Sequence, residues 1–157
     1  MTYRTLRQRL AVNTSAPSAA RRAIRRWLAL LDWPGEESDD LVVTTSEAVA
    51  NAVDHAHPAG QPATAISLQA AVRVHEDGTL QVRITVEDGG RWKPPTADSG
   101  FRGRGVLLMR ALSESVQFQT TDAGTRVVMD SHRSAPPAAA LPEPRSAIVP
   151  PVPPEPQ

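Results

Sequence analysis

Apolar residues recur at intervals of three and four early in the chain, where Ala20, Ile24, Trp27, Leu28 and Leu31 form one stripe flanked by Arg21, Arg22, Arg25 and Arg26. That period predicts a helix from about Pro17 to Leu31, with Pro17 suited to its first turn. A short strand near Thr5–Val12 leads into it. Trp33-Pro34-Gly35 breaks the chain, and Ser38 can cap a second helix whose first turn carries Asp39 and Asp40. Val42, Val49, Ala52, Val53 and Ala56 keep helical spacing until Pro58 to Pro62 stop it. The period then falls to two. Ile66, Leu68, Ala70, Val72 and Val74 alternate with polar or smaller residues, Glu76-Asp77-Gly78 reads as a hairpin turn, and Leu80, Val82, Ile84 and Val86 oppose Gln81, Arg83, Thr85 and Glu87. A loop from Gly89 to Arg102, rich in Gly, Pro and charge, separates this strand from a helix over Gly105–Leu112. A loop of that length in a small domain reads as a lid. In the last strand Thr125, Val127 and Met129 share a face.

Three places in this pattern carry chemistry. Glu47 and Asn51 lie four residues apart on the second helix, so at about 100° per residue they share a face, one turn apart. A carboxylate that can take a proton thus stands beside an amide oxygen that can hold a hard cation. Asp88 continues the apolar parity of its strand, which aims a carboxylate coreward at the strand end. Such a group is costly to bury unless hydrogen-bonded, and so invites a ligand with N–H donors. Thr125 sends its hydroxyl the same way. Gly103-Arg104-Gly105 opens the third helix, where backbone N–H groups and the helix dipole suit phosphate. Together the three pieces suggest a nucleotide site.

Composition sets limits. With 157 residues the chain can form one domain with a real core. Seventeen basic and seventeen acidic residues cancel, so no net basic field points to nucleic acid or an acidic membrane. The absence of cysteine removes disulfides, thiolate nucleophiles and cysteine-held zinc, leaving oxygen and imidazole donors for any metal. His55 and His57 lack further ligands at metal spacing and read as surface residues. No apolar run is long enough to span a membrane, and Met1–Leu10 lacks a signal-peptide core, so a cytoplasmic protein is expected. Residues 133–157 hold nine of the fifteen prolines and almost no large apolar side chains, which predicts a disordered tail behind a folded domain at 1–132. No internal repeat is visible.

Glu47 to Asn51, Asp88-Gly89-Gly90, Gly103-Arg104-Gly105 and Gly124-Thr125 resemble, in order, the motifs of the ATPase superfamily that includes gyrase, histidine kinases and MutL. The wording around Asn51-Ala52-Val53-Asp54-His55-Ala56 is most similar to the small anti-sigma-factor serine/threonine kinases. The resemblance covers roughly residues 10–130. It implies an α/β (α+β) two-layer sandwich of the Bergerat type. That fold has a mixed, mostly antiparallel sheet, helices on one face, and ATP held between helices and lid. It implies Glu47 as the base or orienting group for the attacking hydroxyl, Asn51 as the Mg²⁺ ligand, and Asp88 with Thr125 at adenine. Gly90 would let the backbone approach the base, and Gly103, Arg104, Gly105 and Val106 would meet the phosphates. His55 could face the phosphates or pack under the lid.

The sequence departs from that pattern at Trp92, where many relatives have a second glycine, and Lys93-Pro94-Pro95 follows it. The lid therefore starts stiffer and bulkier. Asp54 also stands where relatives place other residues, so no phosphate contact is carried to it. The function implied is an ATP-dependent protein kinase that phosphorylates an anti-anti-sigma protein, sequesters a sigma factor and pairs as a homodimer. Fewer than fifty residues precede Glu47, which leaves no room for the dimerisation helices of a histidine kinase, and the length does not suit a topoisomerase or chaperone. Two alternatives share the fold. One is an ATP-binding regulator that holds a partner without phosphorylating it; the other is a detached regulatory domain working beside a phosphatase or sensor.

Overall fold

Local backbone chemistry, ahead of the proline, ends the first helix. The computed structural model describes residues 4–55, 65–90 and 102–135. Helix α1 (Ala16–Leu30) follows Asn13, whose Oδ1 accepts hydrogen bonds from the N–H and hydroxyl of Ser15 at 3.0 and 2.6 Å, and it takes Pro17 in its first turn. At its other end Asp32 turns left-handed, with φ 50°. The Asp32 N–H then bonds the Ala29 carbonyl and the Trp33 N–H the Leu28 carbonyl, the double closure of a Schellman end. Trp33 and Leu28 both join the core.

Helix α2 (Gly35–His55) starts three residues ahead of the expected Ser38 cap. The Ser38 N–H bonds the Pro34 carbonyl at 2.8 Å and its hydroxyl donates to the Trp33 carbonyl at 3.3 Å, so Ser38 lies inside the helix. Pro34 has no N–H to satisfy, and its carbonyl is free to accept the first helical bond. Glu36 and Glu37, instead of Asp39 and Asp40, therefore occupy the acidic first turn.

Among the described residues there are five strands, β1 (Thr5–Leu10), β2 (Ile66–Val74), β3 (Leu80–Asp88), β4 (Ser115–Thr121) and β5 (Gly124–Asp130), with α3 (Arg102–Leu112) between β3 and β4. They form one sheet in the order β1-β2-β3-β5-β4, and all four pairings are antiparallel. The β2–β3 hairpin closes at Asp77, whose carboxylate accepts from both the N–H and hydroxyl of Thr79. Strand β4 was not foreseen in the pattern. Only Val116 and Phe118 mark its alternation, and both are merely half-buried, since an edge strand contributes little to the core.

Parity decides the layers. Ile66, Leu68, Ile84, Val86 and Met129 are at most 2% exposed and pack with Ile24, Leu28, Val42, Val49 and Met109 from the helices. The opposite parity is polar. There Arg83 donates twice to Asp130, at 2.8 Å each, and Arg126 pairs with Glu87 at 2.9 Å. The result is the two-layer α+β sandwich expected, with helices on one face. Past β5 the chain stays attached to it. Ser134 and Leu80 exchange both backbone hydrogen bonds at 2.8 Å, and the Ser134 hydroxyl donates to Glu37 Oε1 at 3.1 Å. This pairing lies beyond the expected edge at residue 132. The helix stop at Pro58–Pro62, His57, the lid residues Trp92 to Pro95 and the tail from residue 136 on lie outside the described residues.

Candidate functional site

Helix α2 packs on both β3 and α3, and the candidate residues gather along that path. Ala48, Val49 and Ala52 bury one side of α2, so Glu47 and Asn51, half-buried, fall at the margin facing α3. A Cβ added to Gly105 would stand 2.6 Å from Glu47 Oε2 and 3.9 Å from Asn51 Oδ1. The carboxylate and the amide therefore both reach the first turn of α3, as the one-turn spacing predicts. One turn of α2 is also tied sideways. Arg21 on α1 donates to the hydroxyls of Ser46 at 2.7 Å and Ser18 at 2.8 Å, fixing α2 at the residue before Glu47. The periodic pattern places Arg21 only beside the apolar stripe and does not show this role, since a pairing across 25 positions leaves no periodic signal.

Helix α3 begins at Arg102, three residues ahead of the expected Gly105. Gly103, Arg104 and Gly105 thus sit within its first turn, where the N–H groups of a helix have no partner along the helix itself. Arg104 is exposed and Gly105 buried against Glu47. Val106 is 7% exposed and its side chain belongs to the core, which leaves only its backbone to meet a ligand. Asn51 Nδ2 is buried without a hydrogen-bond partner. An orphaned amide at this depth costs about 1–3 kcal/mol unless something completes it.

A second group of candidate residues is built on β3 and β5. Asp88 and Thr125 are direct partners in the ladder. Asp88 Oδ1 accepts the Gly90 N–H at 2.6 Å, while the Thr125 hydroxyl donates to the Gly90 carbonyl at 2.8 Å. Thr125 is 4% exposed. Burial pushes the Asp88 carboxyl up to about 6, with the Gly90 N–H pulling the other way. At neutral pH it is an ionised acceptor whose second oxygen has no protein hydrogen bond among those of the described residues. Gly124 supports it from behind. With φ 141°, its missing Cβ would fall 1.9 Å from the Asp88 carbonyl oxygen, so only glycine fits.

Two groups of candidate residues result: Glu47, Asn51 and Gly105 where α2 meets α3, and Asp88, Gly90 and Thr125 at the ends of β3 and β5. His55 closes the described part of α2. No cluster of three or more His, Cys, Asp or Glu residues that could hold a metal occurs among the described residues.

Among solved structures, the RsbU and RsbW domains of Rv1364c from Mycobacterium tuberculosis are similar, with 24% identity, 84% of this chain covered, 33% of that one and a TM-score of 0.62. The SiaB-SiaC complex from Pseudomonas aeruginosa is similar at 15% identity, 82% and 89% coverage and a TM-score of 0.50. At these identities the likeness is one of fold, and the chain spans only a third of the Mycobacterium protein's resolved length. The sequence itself matches the profile of the histidine kinase-like ATPase domain over residues 11–131, a span that contains every site residue described above, and the chain belongs to that family.

Proposed function

We propose that this protein is an ATP-dependent protein serine/threonine kinase of the anti-sigma type. In this reading it transfers the γ-phosphoryl group of ATP to a hydroxyl of an anti-anti-sigma protein, sequesters a sigma factor, works as a homodimer and resides in the cytoplasm. One observation carries the reading: Glu47 and Asn51 both project onto the first turn of α3 at Gly105. ATP binding alone would require Asp88 and the glycines but no carboxylate there. Two further facts are consistent with it: one similar fold was solved as a SiaB-SiaC complex, and no described helix is long and apolar enough to cross a membrane.

The residues divide the work. Asp88 accepts the exocyclic amino group of adenine through its free oxygen, and Thr125 holds Gly90 so that the backbone approaches the ring. The first-turn N–H groups of α3, at Gly103, Arg104 and Gly105, face phosphate oxygens, helped by the positive end of the helix. Asn51 would hold magnesium through its amide oxygen, which lies toward the first turn of α3, 3.9 Å from where a Cβ on Gly105 would stand, while phosphates and water would complete the shell. Magnesium, when bound, supplies charge neutralisation on the phosphates. Glu47 takes the proton of the attacking serine or threonine hydroxyl. The hydroxyl oxygen bonds to the γ-phosphorus, the bond from that phosphorus to the bridging oxygen breaks, and ADP leaves.

Purified protein incubated with γ-labelled ATP, magnesium and candidate anti-anti-sigma proteins tests this. The reading requires label on the partner, lost in Glu47→Ala while that variant still binds ATP. Binding without transfer to any partner would favour the regulator that holds its partner unmodified.

A further inference from the structure

The zero net charge hides a segregation. Residues 1–31 contain seven arginines and no acidic residue, whereas all seventeen carboxylate side chains lie from Asp32 onward. The fold places this basic segment at one margin, since among the described residues β1 is an edge strand paired only with β2, and α1 packs beside it. Arg4, Arg7, Arg9, Arg22, Arg25 and Arg26 are exposed. Among the described residues no carboxylate forms an ion pair with any of them.

Between β1 and α1 runs a groove of about 460 Å³. Its walls are apolar at Leu6, Ala19, Ala23 and Leu30, and Arg22 and Arg26 line it as well. Leu30 is 58% exposed, a large apolar side chain left in water at the groove. We propose that this groove docks an extended acidic segment of another protein, which adds to the free edge of β1 and sets glutamate or aspartate side chains against Arg22 and Arg26. Strand addition satisfies the outward backbone groups of β1, and the alternation of a strand sends every other side chain onto the apolar wall. A second copy of the chain fits poorly, because it would bring one acid-free arginine margin against another. Nucleic acid would meet the arginines but has no use for the strand edge or the apolar wall. The proposal does not depend on the nucleotide reading, because none of these residues belongs to that site.

The full-length protein is titrated, at low salt, with a fluorescent peptide alternating glutamate and leucine, and amide exchange is followed along β1. The proposal requires saturable binding with slowed exchange in β1. It also requires a loss of affinity of at least about tenfold in Arg22→Glu/Arg26→Glu, with little change in Arg25→Glu, which lies on α1 outside the groove. If the double reversal fails to fold by circular dichroism, Arg22→Gln/Arg26→Gln is expected to show the same order of effect. No binding, equal weakening by Arg25→Glu, or unchanged exchange in β1 overturns it. So does tighter binding of a DNA oligonucleotide of equal charge, or self-association of the peptide-free protein that the double variant abolishes. ATP binding, read separately, is expected to be the same in all these variants.

Discussion

Asp88 and Thr125 face each other across the β3–β5 ladder, and both act on the same residue: Gly90 gives its N–H to the one and its carbonyl takes the hydroxyl of the other. The chain at the end of β3 is thereby held from two strands at once, and the second Asp88 oxygen accepts no hydrogen bond among those of the described residues.

The Asp88 carboxyl lies at about 6, above its ordinary 3.8. Its stabilising share is therefore fully present below the ordinary value and lost as pH rises through about 6. Asp88→Asn removes that loss. Thermal unfolding followed against pH is expected to show the variant more stable than the parent above pH 6, the gap closing toward acid. The same substitution turns the free oxygen into an NH₂ group, a donor facing the adenine amino group, so calorimetry is expected to show ATP binding lost. For the unaltered protein, affinity falls as pH drops below about 6.

Gly105→Ala puts a methyl carbon 2.6 Å from Glu47 Oε2. The end of a flexible side chain can retreat, so denaturant titration is expected to show a stability change under about 1 kcal/mol. Phosphoryl transfer, in contrast, is expected to fall by at least about tenfold as the carboxylate leaves its position, with ATP affinity less affected.

Gly124→Ala cannot relax in that way, because its neighbour is the Asp88 backbone at 1.9 Å and φ is 141°. A loss of about 2–4 kcal/mol is expected by denaturant titration, together with weaker ATP binding as the end of β3 shifts.

Asp32 holds a left-handed conformation at the end of α1. Asp32→Gly relieves that strain at some cost in chain entropy, for a net gain of about 0.5–1 kcal/mol in the same assay. ATP binding should not change.

The parts of the fold readable from sequence were those whose periodicity the core enforces. Strands β2 and β3 follow their alternation because one parity is buried along β3 and along β2 as far as Ala70, with Val72 half-buried and Val74 exposed, and α1 follows its stripe to within a residue at each end. Edge strand β4 escaped because burial barely acts on it. The starts of α2 and α3 were placed too late along the chain; for α2 the Pro34 carbonyl decides it, and that has no pattern in the side chains. In the site, Glu47 with Asn51 and Asp88 with Thr125 were legible as face and parity. Their meeting with Gly105 and Gly90 was not, because it depends on how α2, α3 and β5 come together in space.

The attachment of Ser134 to Leu80 and Glu37 matters for anyone trimming the gene. A shorter version stopping after Asp130, where the last strand formally finishes, would strip the start of β3 of two backbone partners and leave Glu37 without its hydroxyl donor. A cut beyond Ala135 keeps these contacts.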